Sequence, residues 1–469
     1  MEARADDQSS GPFHKLLRRV VDVREGEVGA MLTSFAFFFC LLSSYFILRP
    51  MRDAVAAASG VNQISWLFAG TLGATLLCNP LFSSLVVRFP IRRVIPISYQ
   101  FFAIAILVFY AILRFIAGTE GSAVDVWTGR VFYVWTTVFA LFNTSIFWSL
   151  MADAFRSDQA KRLFGFIGVG GTLGAISGSA VTASWATTIG PMNLLLVSAA
   201  LLELGVFIIA RFPLARRQGG EPAVRGGRTA DADVIGGSVW SGFRSVVTSP
   251  YLLGICAFLI LYVTGSTFLY YQQADIVGRL YPDRASATAI LAKLELAAQL
   301  LTVVTQIFFT GRIIRWLGLA VSLALLPALS MLGFGALGAL PAFQTLSVFL
   351  VLRRASNNAL TNPAMEVLFT VVPREDKYKA KNIIETFVYR GGDQVSAWLY
   401  TGLVALGLSL AGISFVAVPL AGVWLVLALW LGRKQAFLAQ TLTPPVPTRL
   451  SQEDSEPDVP LPTPSRLAT

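Results

Sequence analysis

Apolar runs of about 20 residues, the length that crosses a hydrocarbon core of about 30 Å, recur from residue 29 to residue 432. Within lipid, only helices and closed barrels satisfy their own backbone polar groups. Runs of this length suit helices, because a spanning strand needs only about ten residues. Composition agrees: 55% of the 469 residues are hydrophobic and 14% charged, against about 45–50% and 25% in soluble chains. Mean hydropathy is +0.65. The sequence therefore predicts an all-α membrane protein with twelve spans, at roughly 29–50, 62–87, 93–116, 127–152, 161–184, 191–211, 251–277, 286–311, 317–340, 342–370, 379–406 and 411–432. The polar residues ahead of the first run, and that run's own length, do not fit a cleavable signal peptide, so the first helix is expected to be retained.

Basic residues sort the loops. Arg18, Arg19 and Arg24 precede the first span, and Arg88, Arg92, Arg156 and Lys161 lie in even-to-odd loops. Arg216, Arg217, Arg312, Arg315 and Arg374 continue that series, while the odd-to-even loops are short or uncharged. The positive-inside rule then places both termini in the cytoplasm, and a bacterial inner membrane is expected. The formal charge of +10 is accounted for by topology, so no nucleic-acid partner is expected; the expected form is a monomer in the lipid bilayer. Expected domains are an N-terminal tail (1–28), a six-helix bundle (29–211), a Gly- and charge-rich linker (212–250), a second bundle (251–432) and a Pro-rich disordered tail (433–469).

The two bundles repeat. The stretch 43–55 (SSYFILRPMRDAV) lies against 265–277 (GSTFLYYQQADIV), pairing Asp53 with Asp275 at an offset of 222. Arg88 and Arg92 find Arg312 and Arg315 at 224 and 223, and 160–171 lies against 380–392 at 220 to 221. Three matches in order at nearly one offset indicate two six-helix halves, an architecture used by transporters.

Chemistry is sparse. The single histidine, His14, lies in the N-terminal tail, and the three cysteines fall in apolar runs. No metal site, cofactor or enzyme nucleophile is expected. A charge at a helix centre costs about 2.5–3.5 kcal/mol on insertion scales, so the intramembrane charges are the candidates. Arg49, Arg52 and Asp53 share one face if the first helix continues past Pro50 into the Ala-rich stretch; the alternative is an interfacial turn with an Arg49–Asp53 pair. Arg354, Asn357, Asn358, Thr361 and Asn362 form a stripe in the tenth span, beside Arg353, reading as cavity lining or as a helix–helix hydrogen-bonding face. Lys293 and Glu295 lie in the eighth span, and Glu385, Arg390 and Asp393 in the eleventh. Tyr271 and Gln272 sit where the repeat places the partner of the arginine cluster. Glu203 and Glu366 are the remaining acidic candidates for proton or cation coupling. The motif GVGGTLG (168–174) has Leu173 inside a span, and Gly170, Gly174 and Gly178 read as close helix packing.

LRPMRDAV (48–55), the region 147–179, and the stretch 362–393 containing NPAMEVLF and DKYKAKN together resemble the ATP/ADP translocase family of plastid- and intracellular-bacterial-type nucleotide transporters, which is similar in fold to the major facilitator superfamily. The resemblance covers most of residues 29–432. It nominates Arg49, Arg52, Asp53, Glu366, Lys377, Lys379, Lys381 and Arg390. Arg52 stands where that family has lysine, and Lys379–Ala380–Lys381 lacks its glycine.

The substrate-binding set expected is thus Arg49, Arg52, Asp53, Tyr271, Gln272, Lys293, Arg354, Asn358, Glu366 and Arg390. The coupling and gating set is Glu203, Asp275, Glu295, Lys377, Lys379, Lys381, Glu385 and Asp393. The expected function is secondary transport of a small anion, a nucleotide or other phosphorylated metabolite, by exchange. The alternatives are proton-coupled transport of a peptide, sugar or drug, and a non-transporting membrane sensor or scaffold.

Overall fold

The computed structural model describes residues 23–24, 27–88, 91–116, 118, 121–211, 246–373, 380–381 and 384–442. Most of the expected linker, the N-terminal tail to residue 22 and the chain beyond 442 lie outside the described residues. The N-terminal half contains α1 (Val28–Ser59), α2 (Val61–Arg88), α3 (Ile91–Ala111, running into a π turn at Ile112–Ile116), α4 (Ala123–Ala154), α5 (Ser157–Trp185) and α6 (Pro191–Ala210). The C-terminal half contains α7 (Pro250–Leu280), α8 (Arg284–Thr305 and a π turn at Gln306–Thr310), α9 (Gly311–Ala339), α10, α11 and α12 (Leu410–Leu442). α10 comprises Phe343–Ser356, a π turn at Asn357–Thr361 and Asn362–Leu368; α11 comprises a π turn at Ile384–Val388 and Tyr389–Ala405.

Nine stretches among the described residues are long and apolar enough to cross a membrane. One of them, Arg284–Ala339, holds both α8 and α9, and its helical path breaks inside α9 at Gly318, where φ is +77°. π turns interrupt α10 and α11, which fall outside that count. Two boundaries differ most from expectation. α1 continues unbroken through Pro50 to Ser59, so the interfacial-turn alternative is excluded. α12 runs to Leu442, past the expected end at 432.

Close packing within each half follows from small residues. A Cβ on Gly170, Gly174 or Gly178 of α5 would meet the backbone carbonyls of Phe35, Phe39 and Ser43 on α1. Both rows have a four-residue repeat, so glycine lets one helix lie along the other with backbones touching. The Ser43 hydroxyl donates to the Gly174 carbonyl at 3.1 Å across this contact. The N-terminal core is aromatic, with Phe38 stacked on Phe147 at 4.0 Å; the C-terminal core gathers Phe258, Leu326, Trp424 and Leu431.

A third core joins the halves. Ala54, Ala57, Ile64 and Leu67 pack with Phe268, Tyr271, Val277, Ala397 and Tyr400. A Cβ on Gly278 would sit 2.6 Å from the Ala57 carbonyl oxygen. Residues 57 and 278 lie 221 apart in sequence, within the 220–224 window of the repeat. The two halves therefore meet at equivalent positions, as a pseudo-two-fold arrangement requires.

Candidate functional site

Between the halves lies a cavity of about 650 Å³, lined from the N-terminal half by α1, α2 and α4 and from the C-terminal half by α7, α8, α10 and α11. Its cations come from three helices. The helix through Pro50 brings Arg49 and Arg52 onto the cavity face of α1. Arg353 and Arg354 end the regular part of α10, and Arg390 opens the regular part of α11. Each of the last two helices carries a π turn beside its arginines, a distortion frequent at functional sites.

The arginines are held in different ways. Arg49 donates to Glu295 Oε1 at 3.1 Å and Arg354 donates to Glu295 Oε2 at 2.5 Å. One buried carboxylate on α8 thus bridges guanidiniums of both halves. Gln299, one turn along α8, donates to the same Oε1 at 2.9 Å. Arg52 pairs with its neighbour Asp53, with Nη2 at 2.7 Å and Nε at 3.0 Å. It also lies 5.4 Å from the Tyr133 ring centroid. The Tyr270 hydroxyl donates to Asp53 Oδ1 at 3.2 Å from the opposite half. Arg353 has no ion-pair partner among the described residues. It donates to Ser330, Ser266 and the Tyr262 carbonyl at 3.1, 2.9 and 3.1 Å, all within its own half. Arg390 stands 3.9 Å from Asp393 on the same helix.

Of the residues nominated from sequence, Arg49, Arg52, Glu295, Arg354, Asn358, Arg390 and Asp393 line the cavity, and Asp53 is buried directly behind Arg52. Others are placed elsewhere. Tyr271 is buried against Ser65 at the sealed end, and Gln272 points away, donating to Ser414 on α12 at 2.8 Å. Lys293 is exposed outside the cavity, because residues two apart on a helix face different ways and Glu295 takes the inward position. Glu366 pairs with Lys381 at 2.7 Å beyond the cavity. Glu203 accepts from Gln100 at 2.8 Å, and Asp275 pairs with Arg279 on its own helix. Lys377 and Lys379, and the side chain of Glu385, lie outside the described residues.

The stripe expected on α10 stops short. Arg354, Asn357 and Asn358 line the cavity, but Thr361 is buried and Asn362 exposed. The π turn at Asn357–Thr361 inserts an extra residue into that turn and rotates later positions off the face. Sequence reasoning missed the cavity residues Asn79, Tyr133, Thr137 and Tyr389. Thr137 and Tyr133, four apart on α4, were detectable only as a short polar interruption in an apolar run.

At the end where α1 and α7 finish, the halves are sealed. The Ser65 hydroxyl is 2.7 Å from the Tyr271 hydroxyl and 2.6 Å from that of Thr401. Arg284 at the start of α8 makes two hydrogen bonds to Asp125 at the start of α4, at 2.9 and 2.7 Å. At the other end, Asn79, Asn358 and Tyr389 line the cavity.

An ADP,ATP carrier protein 1 of Chlamydia muridarum is 22% identical, covering 90% of this chain and 90% of the relative. That of Chlamydia pneumoniae is also 22% identical, covering 95% and 98%. The chain is similar to ADP,ATP carrier proteins. No protein-family model matches it. Among solved structures, a bacterial homologue of the iron transporter ferroportin, in an inward-facing state, superposes with a TM-score of 0.62 at 11% identity, over 88% of this chain and 100% of that one. The peptide transporter POT in complex with sulfate gives 0.57 at 13% identity, over 88% and 95%. The nucleoside transporter NupG gives 0.51 at 14%, over 88% and 99%. The fold is that of major-facilitator-type transporters, and the chain is a multi-pass membrane protein.

Proposed function

We propose that this protein is a secondary transporter that moves a nucleotide such as ATP or ADP, or another phosphorylated metabolite, by alternating access and in exchange for a second anion. The observation that supports this most is the cavity's charge. Five guanidiniums (Arg49, Arg52, Arg353, Arg354, Arg390) face three carboxylates (Asp53, Glu295, Asp393), an excess of two formal positive charges contributed by both halves. Guanidinium binds phosphate bidentately and keeps its charge. Aromatic rings suited to a base are present too: Phe68 stacks on Tyr270 at 5.7 Å, with Tyr133, Tyr262 and Tyr389 around them. The cavity volume lies within the range of about 300–1,000 Å³ usual for small-ligand sites. An unloaded cavity with excess cations resists moving through a low-dielectric barrier, and a bound anion offsets them; this favours exchange over one-way transport.

The positive-inside pattern orients the starts of α1 and α7 to the cytoplasm, so the sealed end faces outward and the cavity opens inward. The protein acts as a monomer in a bacterial inner membrane in this reading. Arg52→Ala in proteoliposomes is expected to abolish nucleotide uptake while the purified protein keeps its helical content; unchanged uptake contradicts the reading. A second reading, proton coupling of a peptide, sugar or drug, is favoured by Asp393, a cavity carboxylate whose ion-pair partner Arg390 stands 3.9 Å away. Collapse of uptake by an uncoupler, without any need for internal substrate, selects it.

A further inference from the structure

We propose that Glu295 is a resident counter-anion: it occupies the place of the substrate's anionic group, and substrate binds by displacing it from Arg49 and Arg354. The inference rests on the anion reading above and adds the step by which the anion enters. The geometry is that of a small bridging anion. Two oxygens of one group reach guanidiniums on opposite halves, at 3.1 Å to Arg49 and 2.5 Å to Arg354. A phosphate offers the same pair of oxygens with more charge.

The site has spare capacity for such a ligand. Each guanidinium carries five N–H donors. Arg49 Nε is buried without an acceptor, and Arg354 Nη2 has only a 3.3 Å bond to Gln273 Oε1. Both arginines retain about a fifth to a quarter of their side-chain surface, at 24% and 22%, while Glu295 retains 4%. The arginines therefore meet an incoming anion first. Glu295 keeps the Gln299 amide as a partner when it loses the arginines.

No other cavity arginine is set this way. Arg52 is paired to the adjacent residue, and Arg353 is satisfied by neutral groups of its own half. Of the arginine–carboxylate pairs that line the cavity among the described residues, only Arg49–Glu295 crosses between the halves, and Arg354–Glu295 anchors that carboxylate within its own half. In the empty protein Glu295 ties the halves; in the loaded protein the substrate does. That transfer makes Glu295 a positioning residue and selects for anions with enough charge to replace it.

The test uses the full-length purified protein with inorganic phosphate, sulfate and ADP as probes, comparing wild type, E295Q and E295D. Binding is read by calorimetry and ligand-induced thermal shift, and transport by exchange in proteoliposomes. E295Q is expected to bind phosphate about tenfold tighter than wild type, with a larger thermal shift and a lower maximum exchange rate. A purely structural role moves affinity and rate down together. E295D is expected to bind a few-fold tighter, since its shorter side chain reaches one guanidinium, and it decides the matter if E295Q does not fold. Wild-type or weaker affinity in the folded variants overturns the counter-anion role while leaving the anion site standing. No binding of any probe by wild type or variants overturns both.

Discussion

Two buried ion pairs of nearly the same geometry stand at opposite ends of the bundle and join different things. Asp125–Arg284, with bonds of 2.9 and 2.7 Å, runs from α4 to α8 and ties one half to the other. Glu27–Arg162, at 3.1 and 2.9 Å, joins the start of α1 to α5 inside a single half. The first sits with the Ser65–Tyr271–Thr401 cluster and the Gly278–Ala57 contact, so its end of the molecule is sealed. The second leaves its end free to part. Paired charges alone say nothing about gating; what matters is whether the pair crosses the line along which the halves move.

This contrast can be broken from either side. The largest effect is expected at the crossing pair. Arg284→Ala strands a buried carboxylate, which costs about 3–5 kcal/mol of the closed arrangement. The distance between spin labels at Asn62 and Leu406, both exposed at the sealed end, should lengthen or broaden. An unchanged distance distribution means that the pair does not hold the seal. Next comes Gly278→Ala. Its new methyl carbon, 2.6 Å from the Ala57 carbonyl oxygen, forces the ends of α1 and α7 apart at about 1–3 kcal/mol, and the same label pair reads it. A distance identical to wild type shows that the contact has room to relax.

The smallest effect belongs to Glu27. Burial raises the pKa of its carboxyl, but bonds from Arg162, the Arg24 amide and Gln159 outweigh that and hold it below the usual carboxylate range. A pKa lowered by folding adds stability that is present above the unfolded-state value of about 4.3 and fades as pH falls through the folded value. Glu27→Gln should therefore lower thermal stability at neutral pH by about 1 kcal/mol, because the amide oxygen still accepts from Arg162, a difference that shrinks below about pH 4. The label distance at the sealed end should not change. If it does, the two pairs are not independent.

Much of the architecture was legible in the sequence because it depends on local pattern. The length of the apolar runs, the glycine repeat of α5 and the continuation of α1 past Pro50 into alanines each follow from spacing and propensity. Ala57 and Gly278, which meet in the fold, lie 221 apart, within the offset of the repeat. The site was legible on one side only. Arg49 and Arg52 were found because three charges at helical spacing share a face. The partner of Arg49 was not, because Glu295 is 246 residues away and no local pattern encodes that pairing. Lys293 was nominated with Glu295 for its charge, and only the rotation of α8 separates them. The repeat pairs Asp53 with Asp275, yet one is buried behind the cavity arginines and the other pairs along its own helix. Repeats conserve a fold's geometry while the chemistry of the two copies diverges. On α10 the π turn rotated two of the five stripe residues away, an insertion without a residue signature of its own.

The cavity between the halves is proposed to carry an anion from one side of the membrane to the other. Uptake of labelled ADP into proteoliposomes containing the purified protein tests it most directly, with vesicles preloaded with unlabelled ADP set beside empty ones. The account predicts rapid uptake into the loaded vesicles, little into the empty ones, and loss of both with Arg49→Ala. Equal uptake into empty and loaded vesicles would contradict exchange. No uptake of ADP, phosphate or any other phosphorylated anion by folded wild-type protein would contradict the anion site itself.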